Sequence, residues 1–134
     1  MKISTEKKAE LISMGEEARQ SAYAPYSNYP VGAALLAENG NIYTGANVEN
    51  AAYPVSMCAE RVALFQAVTR GDRTFSAIAV VTENGGSPCG SCRQALSEFG
   101  LDTLVIMADA KGAIVQEKTV RELLPDAFTP EHLI

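Results

Sequence analysis

All three cysteines of this chain sit in two short segments, Cys58-Ala59-Glu60 and, some thirty residues later, Pro88-Cys89-Gly90-Ser91-Cys92. If the thiols act together, the fold must bring the chain back to Cys58 after a long excursion. A closed structural zinc site takes four protein ligands, whereas a hydrolytic one takes three and leaves the fourth position to water. Three thiols with a carboxylate two residues from the first match the second inventory. Each half alone is weaker: a Cys-x-x-Cys pair also suits a thioredoxin-like redox motif, and a lone buried Cys is usually a small apolar core residue. A redox pair needs no third thiol and no neighbouring Glu, while a metal centre needs a ligand from elsewhere in the chain. On these residues the metal, redox and inert readings all stay open.

The hydrophobic pattern alternates between helix and strand. Thr5 with Glu6 starts a helix whose Leu11, Gly15, Ala18 and Ala22 repeat at helical spacing until Pro25 stops it, which predicts a span of about Thr5 to Ala22. Val31 to Ala37 and Ile42 to Val48 are apolar runs around Glu38-Asn39-Gly40-Asn41, a hairpin signal for two antiparallel strands. A second helix is expected over Cys58 to Thr69 with Gly71 at its end, a buried strand over Ala77 to Val81, and a third helix over Cys89 to Phe99 closed by Gly100. Leu104 to Ala108 and Ile114 to Lys118 give two more strands, and Thr119 with Glu122 forms a capping box for a last short helix broken at Pro125. The fold class is therefore α/β, a five-stranded mixed sheet with helices on both faces.

Both cysteine segments fall at helix starts. The positive ends of two helix dipoles then point at the thiolates and lower their pKa. In a regular helix, residues two apart project on opposite sides, so Cys58 and Glu60 share a pocket only if the chain enters the first turn irregularly; Tyr53-Pro54 supplies such an approach.

Length and charge narrow the partners. The 134 residues, 47% of them apolar, suit a single domain spanning 1–134 with its own core. Net charge is −5, and Lys7-Lys8 is the only adjacent basic pair, so no basic stripe awaits a nucleic acid. The start Met1 to Glu6 has no hydrophobic signal region, and no stretch reaches the roughly 18 apolar residues of a membrane span. The expectation is a cytoplasmic protein without membrane contact, in a reducing compartment that keeps its thiols free.

The stretches Ala24-Pro25-Tyr26-Ser27, Val31-Gly32-Ala33-Ala34-Leu35, Gly45-Ala46-Asn47-Val48-Glu49-Asn50-Ala51, Cys58-Ala59-Glu60-Arg61 and Ser87-Pro88-Cys89-Gly90-Ser91-Cys92-Arg93-Gln94 resemble, in that order and over nearly the whole chain, the small homotetrameric zinc-dependent cytidine deaminases. The resemblance implies a three-layer α/β/α cytidine-deaminase-like fold. It also implies one Zn²⁺ per subunit on Cys58, Cys89 and Cys92, with three cysteines in place of a His and two Cys. Glu60, by default an exposed helix charge, becomes the general acid/base that takes a proton from the attacking water, delivers it to N3 of the pyrimidine and later protonates the departing amino group. The activity implied is hydrolysis of cytidine and 2′-deoxycytidine to the uracil nucleosides and ammonia, a pyrimidine-salvage reaction.

The same resemblance assigns the remaining site residues. Asn47 and Glu49, which strand alternation sends to one face, grip the ribose 3′-hydroxyl, and the Ala59 main chain reads the base. Tyr29 stands where many relatives carry Phe against the pyrimidine, and its added hydroxyl needs a partner. Phe128 is carried over as an aromatic lent to the pocket of a neighbouring subunit, whereas His132, in the polar tail, is read as exposed. Three thiolates on one zinc leave a formal charge of −1, which Arg61 or Arg93 would offset by donating to sulfur. Resemblance favours Arg61; Arg93 serves equally as an ordinary surface arginine. Rival readings are a deaminase of another nucleoside or a nucleotide, such as a blasticidin-type substrate, a non-enzymatic zinc module using His132 as fourth ligand, and a redox protein using Cys89 and Cys92.

Overall fold

Strand β1 (Gly32–Ala37) is buried at every position, because a strand in mid-sheet with helices above and below has no solvated side. In the computed structural model, which describes residues 2–133, the order is β2-β1-β3-β4-β5; Met1 and Ile134, the ends of the expected domain, lie outside the described residues. β2 (Ile42–Ala46) and β3 (Phe75–Val81) both pair antiparallel with β1. β3 runs parallel to β4 (Leu104–Ala108), and β5 (Ile114–Thr119) closes the far edge antiparallel. The sheet is five-stranded and mixed, as expected.

Helices cover both faces. α1 (Thr5–Arg19) seals one with Leu11 and Ile12 against Ala34, Ala79 and Ile106. α2 (Ala59–Thr69) and α3 (Gly90–Ser97) seal the other with Ala63, Leu64 and Leu96 against Leu35, Ile78 and Val105. Since β2 and β3 each run antiparallel to β1, they point the same way, and the chain leaves both at the same end of the sheet. α2 and α3 therefore begin side by side. That is how segments thirty residues apart come to share one site, outside the carboxyl ends of the strands, as open α/β sheets generally arrange it.

Element ends differ from the sequence reading where long-range contacts intervene. α1 starts at Thr5 as expected, capped by the Ser4 hydroxyl, which accepts from the Lys7 amide at 3.0 Å. It stops at Arg19, not Ala22, because Tyr23 is drawn into pairing: its amide donates to the Asn47 carbonyl and its carbonyl accepts from the Glu49 amide. β2 ends at Ala46, short of Val48, which bridges Tyr23 and Met57 instead. β3 starts two residues early, at Phe75, and α3 closes at Ser97 before the expected Phe99. α4 (Val120–Leu123) carries the expected capping box, Thr119 with Glu122.

One close approach fixes α2 on β2. A Cβ built on Gly45 would stand 2.7 Å from the Ala59 carbonyl oxygen and 2.7 Å from the Ala63 amide nitrogen, so only glycine lets the first turn of α2 lie this near. Gly45→Ala should cost about 1–3 kcal/mol as an overpacking change. It should also lower metal content by shifting the turn that follows Cys58, read as a lower melting temperature together with substoichiometric zinc.

Candidate active site

Cys58 caps α2 with extended backbone (φ −74°, ψ 151°), after a 3₁₀ turn at Tyr53–Val55 and a bridge from Val48 to Met57. This is the irregular entry that the Tyr53-Pro54 pair suggested. Cys89 caps α3 in the same way (φ −67°, ψ 169°), and Cys92 lies in the first turn of that helix. Neither cysteine side chain bonds its own helix as a cap, so each sulfur stays free for other work.

The three sulfurs meet: Cys58 Sγ is 3.8 Å from Cys89 Sγ, Cys89 Sγ is 3.6 Å from Cys92 Sγ, and all three lie within 4.8 Å of one another. Two sulfurs each about 2.3 Å from one tetrahedral ion stand roughly 3.8 Å apart, so the thiols are spaced as the edges of a zinc–thiolate tetrahedron. All three are free cysteines. The donor set and its spacing fit zinc.

Charge in the cluster is shared unequally. A hydrogen bond from Cys92 brings the Cys58 thiol down to about 5, with help from Arg61 and Cys89 against the cost of burial. Cys92 is pushed far up, first by that same bond to Cys58 and then by burial, because two adjacent thiolates cannot both ionise cheaply without a cation. Arg61 donates to Cys58 Sγ at 3.4 Å and is held more firmly protonated by that contact. Arg93, the other candidate, does not touch a sulfur: its guanidinium binds the Pro88 and Leu123 carbonyls and the Ser87 hydroxyl. Charge compensation by a side chain thus falls to Arg61.

Glu60 is no solvated helix charge. It is 4% exposed, and burial is the main reason its carboxyl is pushed up to about 7, with the Cys58 thiolate adding to the rise. A group so placed takes and gives protons near neutral pH.

Glu60 lines a cavity of about 260 Å³ together with Cys58, Cys89, Ala59, Asn47, Glu49 and Tyr29. The Asn47 amide is buried; it donates to the Tyr29 carbonyl at 3.1 Å and accepts from the Val31 amide at 2.9 Å. Each end keeps one hydrogen-bonding position unused by these contacts. Glu49 accepts from the Tyr26 and Ser27 amides at 2.9 and 3.1 Å and from the Ser27 hydroxyl, which above all holds its carboxyl below the ordinary range. The Tyr29 hydroxyl has found its partner, donating to Asn84 Oδ1 at 2.7 Å. Phe128 is outside this cavity: it is 56% exposed and stacks on His132, with centroids 5.4 Å apart. His132 is exposed, occupied with Thr129, and not part of the sulfur cluster.

A mixed sheet that presents a zinc-spaced thiol triad at two helix N-termini, with a buried carboxyl in the same cavity, defines the class of zinc-dependent hydrolytic deaminases. Residues 5–108 match the family described as the cytidine and deoxycytidylate deaminase zinc-binding region. The chain is 52% identical over 126 residues to the cytidine deaminase of Sporosarcina psychrophila, covering 92% of each chain. It is 50% identical over 126 residues to that of Halalkalibacterium halodurans, covering 92% of this chain and 95% of the relative. The crystal structure of cytidine deaminase from Burkholderia pseudomallei superposes with a TM-score of 0.85 at 44% identity, over 94% of this chain and all of that one. The chain belongs to the cytidine and deoxycytidylate deaminase family, and its three cysteines stand at a spacing that could hold a metal ion.

Arg61→Gln should weaken zinc retention, since it removes the cation bonded to Cys58. Adding Cys58→His takes one negative charge from the ligand set, and the double variant should regain part of what the single one loses, the non-additivity of two changes acting on one charge balance. Metal analysis after gel filtration, alongside turnover, checks both expectations.

Proposed function

We propose that the chain hydrolyses cytidine and 2′-deoxycytidine to uridine and 2′-deoxyuridine with release of ammonia, in pyrimidine salvage. The observation that carries this reading is that Glu60 lines one cavity with Cys58 and Cys89 of the cysteine cluster and with Asn47 and Glu49. Cys58, Cys89 and Cys92 would hold the zinc, which when bound would supply the Lewis acidity that makes a water nucleophilic towards C4. Glu60 takes the proton released by that water and delivers it to N3, then takes the remaining proton from the hydroxyl added at C4 and passes it to the exocyclic nitrogen as it leaves, so that cytidine and water become uridine and ammonia.

Asn47 and Glu49 hold the sugar. Glu49 accepts three protein hydrogen bonds, which leaves its carboxylate one further accepting position for the 3′-hydroxyl. The grip is on the 3′-hydroxyl, which ribose and 2′-deoxyribose share, so both sugars are accepted. Ala59 offers main chain to the base, and the Tyr29 ring walls the same cavity. No Lys or Arg lines this cavity or the adjoining one around Tyr26 and Tyr53 among the described residues, which disfavours a nucleotide. His132 and an isolated Cys89/Cys92 pair have no comparable support, since the third thiol and Glu60 are built into the same site.

The active form is a homotetramer in the cytoplasm. Tyr26, Tyr53, Val55 and Phe128 are large apolar side chains at least 48% exposed, a surface suited to burial against other subunits. The described residues include no helix long and apolar enough to cross a membrane.

Glu60→Gln should keep full zinc and lose at least about 10²- to 10⁴-fold in kcat, because the amide keeps the shape without the proton. Loss of cytosine absorbance in a zinc-replete sample measures this, and full activity would sink the assignment. Truncation before Phe128 should raise KM while leaving zinc content near one per subunit. Sedimentation of a fully active monomer at assay concentration would remove the tetramer from the reading.

A further inference from the structure

The loop that delivers Cys89 has a problem that its own backbone cannot solve. Pro88, immediately before the ligand, has no N–H to donate, so the entry into α3 cannot be pinned by an amide at that residue. Gly86 is held from one side, its amide donating to Thr82 Oγ1 at 2.9 Å, but the two residues that follow need a donor from elsewhere.

Arg93 supplies it. Its Nε donates to the Pro88 carbonyl at 2.8 Å, one terminal nitrogen donates to Ser87 Oγ at 2.9 Å, and the other donates to the Leu123 carbonyl at 2.8 Å. All three guanidinium nitrogens are used, and the contacts span two parts of the chain. Ser87 and Pro88 belong to the metal loop, whereas Leu123 ends α4, which follows β5 and packs against α3. We propose that Arg93 is the positioning residue of the metal loop, a planar clamp that holds Pro88 and Ser87 against the end of α4 so that the Cys89 sulfur stands at metal-binding distance from Cys92 and Cys58.

The clamp works by shape. A guanidinium presents five N–H groups in a fixed fork, while a lysine ammonium is a compact point charge that cannot reach three acceptors laid out in this way. This distinguishes Arg93 from Arg61, whose contact is with a sulfur and whose role is charge. Partners that orient metal ligands from the next layer out typically change metal affinity by about 10- to 100-fold when removed, and the loss here should appear as faster release.

The inference rests on the three cysteines holding zinc, and the experiment keeps the two apart. Wild type and variants are loaded with zinc, checked by metal analysis, and mixed with a chromophoric chelator in excess to read the release rate; wild type that retains no zinc would overturn the metal reading itself. Arg93→Lys, which keeps the charge and loses the fork, should release zinc about 10-fold faster or more, with Arg121→Lys, an exposed arginine paired with Asp102, unchanged as control. A wild-type release rate in Arg93→Lys would overturn the clamp, since charge would then suffice. If Arg93→Lys does not fold, the decision passes to Ser87→Ala, which removes one of the three acceptors. Release about 2- to 3-fold faster than in the control supports the clamp, and equality with the control overturns it.

Discussion

Three sulfurs held less than 4 Å apart along two of their edges set the terms for the rest of the molecule. Thiolates so close repel one another, and the cluster shows the consequence in opposite displacements of Cys58 and Cys92. Two things offset the repulsion before any ion does. Cys58 and Cys89 are each the capping residue of a helix, where the peptide dipoles present positive charge, and Arg61 leans on Cys58 from within α2. The sheet order follows from the same requirement. With β2 and β3 running the same way on either side of β1, both helices start at one end of the sheet, and Gly45 lets α2 approach closely enough for its first turn to face that of α3.

The opposite wall of the cavity is built from side chains that hold the chain and face the ligand space together. Asn47 ties the loop before β1 through Tyr29 and Val31, and Glu49 folds the preceding turn through Tyr26 and Ser27. A polar group committed to two backbone contacts is stiff, and a stiff group loses little freedom when a ligand occupies its remaining position. The same economy makes each residue hard to replace: an apolar substitute gives up the position that faces the cavity and leaves backbone donors or acceptors unpaired.

Much of this was legible in the sequence, and the failures have a common physical origin. The Asn-Gly hairpin and the Thr119–Glu122 box are local patterns complete within a few residues, whereas the cysteine segments and Glu60 were legible only together and through the resemblance to a family. The succession of helices and strands also ran true, with the fold emerging as α/β and the sheet as mixed. What escaped were partners far along the chain. α1 ended early because Tyr23 pairs with Asn47, Asn47 was buried by a loop eighteen positions before it, and Arg93 was spent on carbonyls at Pro88 and Leu123 instead of on a thiolate. Phe128 could not have been placed by pattern, since a lone aromatic near a chain end has no period to read.

Glu60 joins the two halves of the argument. As the second residue of α2 it sits where a carboxylate is favoured by the helix dipole, yet the fold buries it, and burial wins by raising its value to about 7. A carboxyl raised in the folded state binds its proton more tightly there than in the unfolded chain. Its contribution to stability is therefore present below the ordinary carboxylate value and is lost as pH rises through about 7. The position is costly at neutral pH, and nothing in the packing of α2 requires a carboxyl there, since Ala59, Ala63 and Leu64 already seal the helix on the sheet. A charged group kept dry at a loss to the fold, beside a cluster of zinc-spaced sulfurs, is the arrangement that the proton-transfer role proposed for Glu60 calls for.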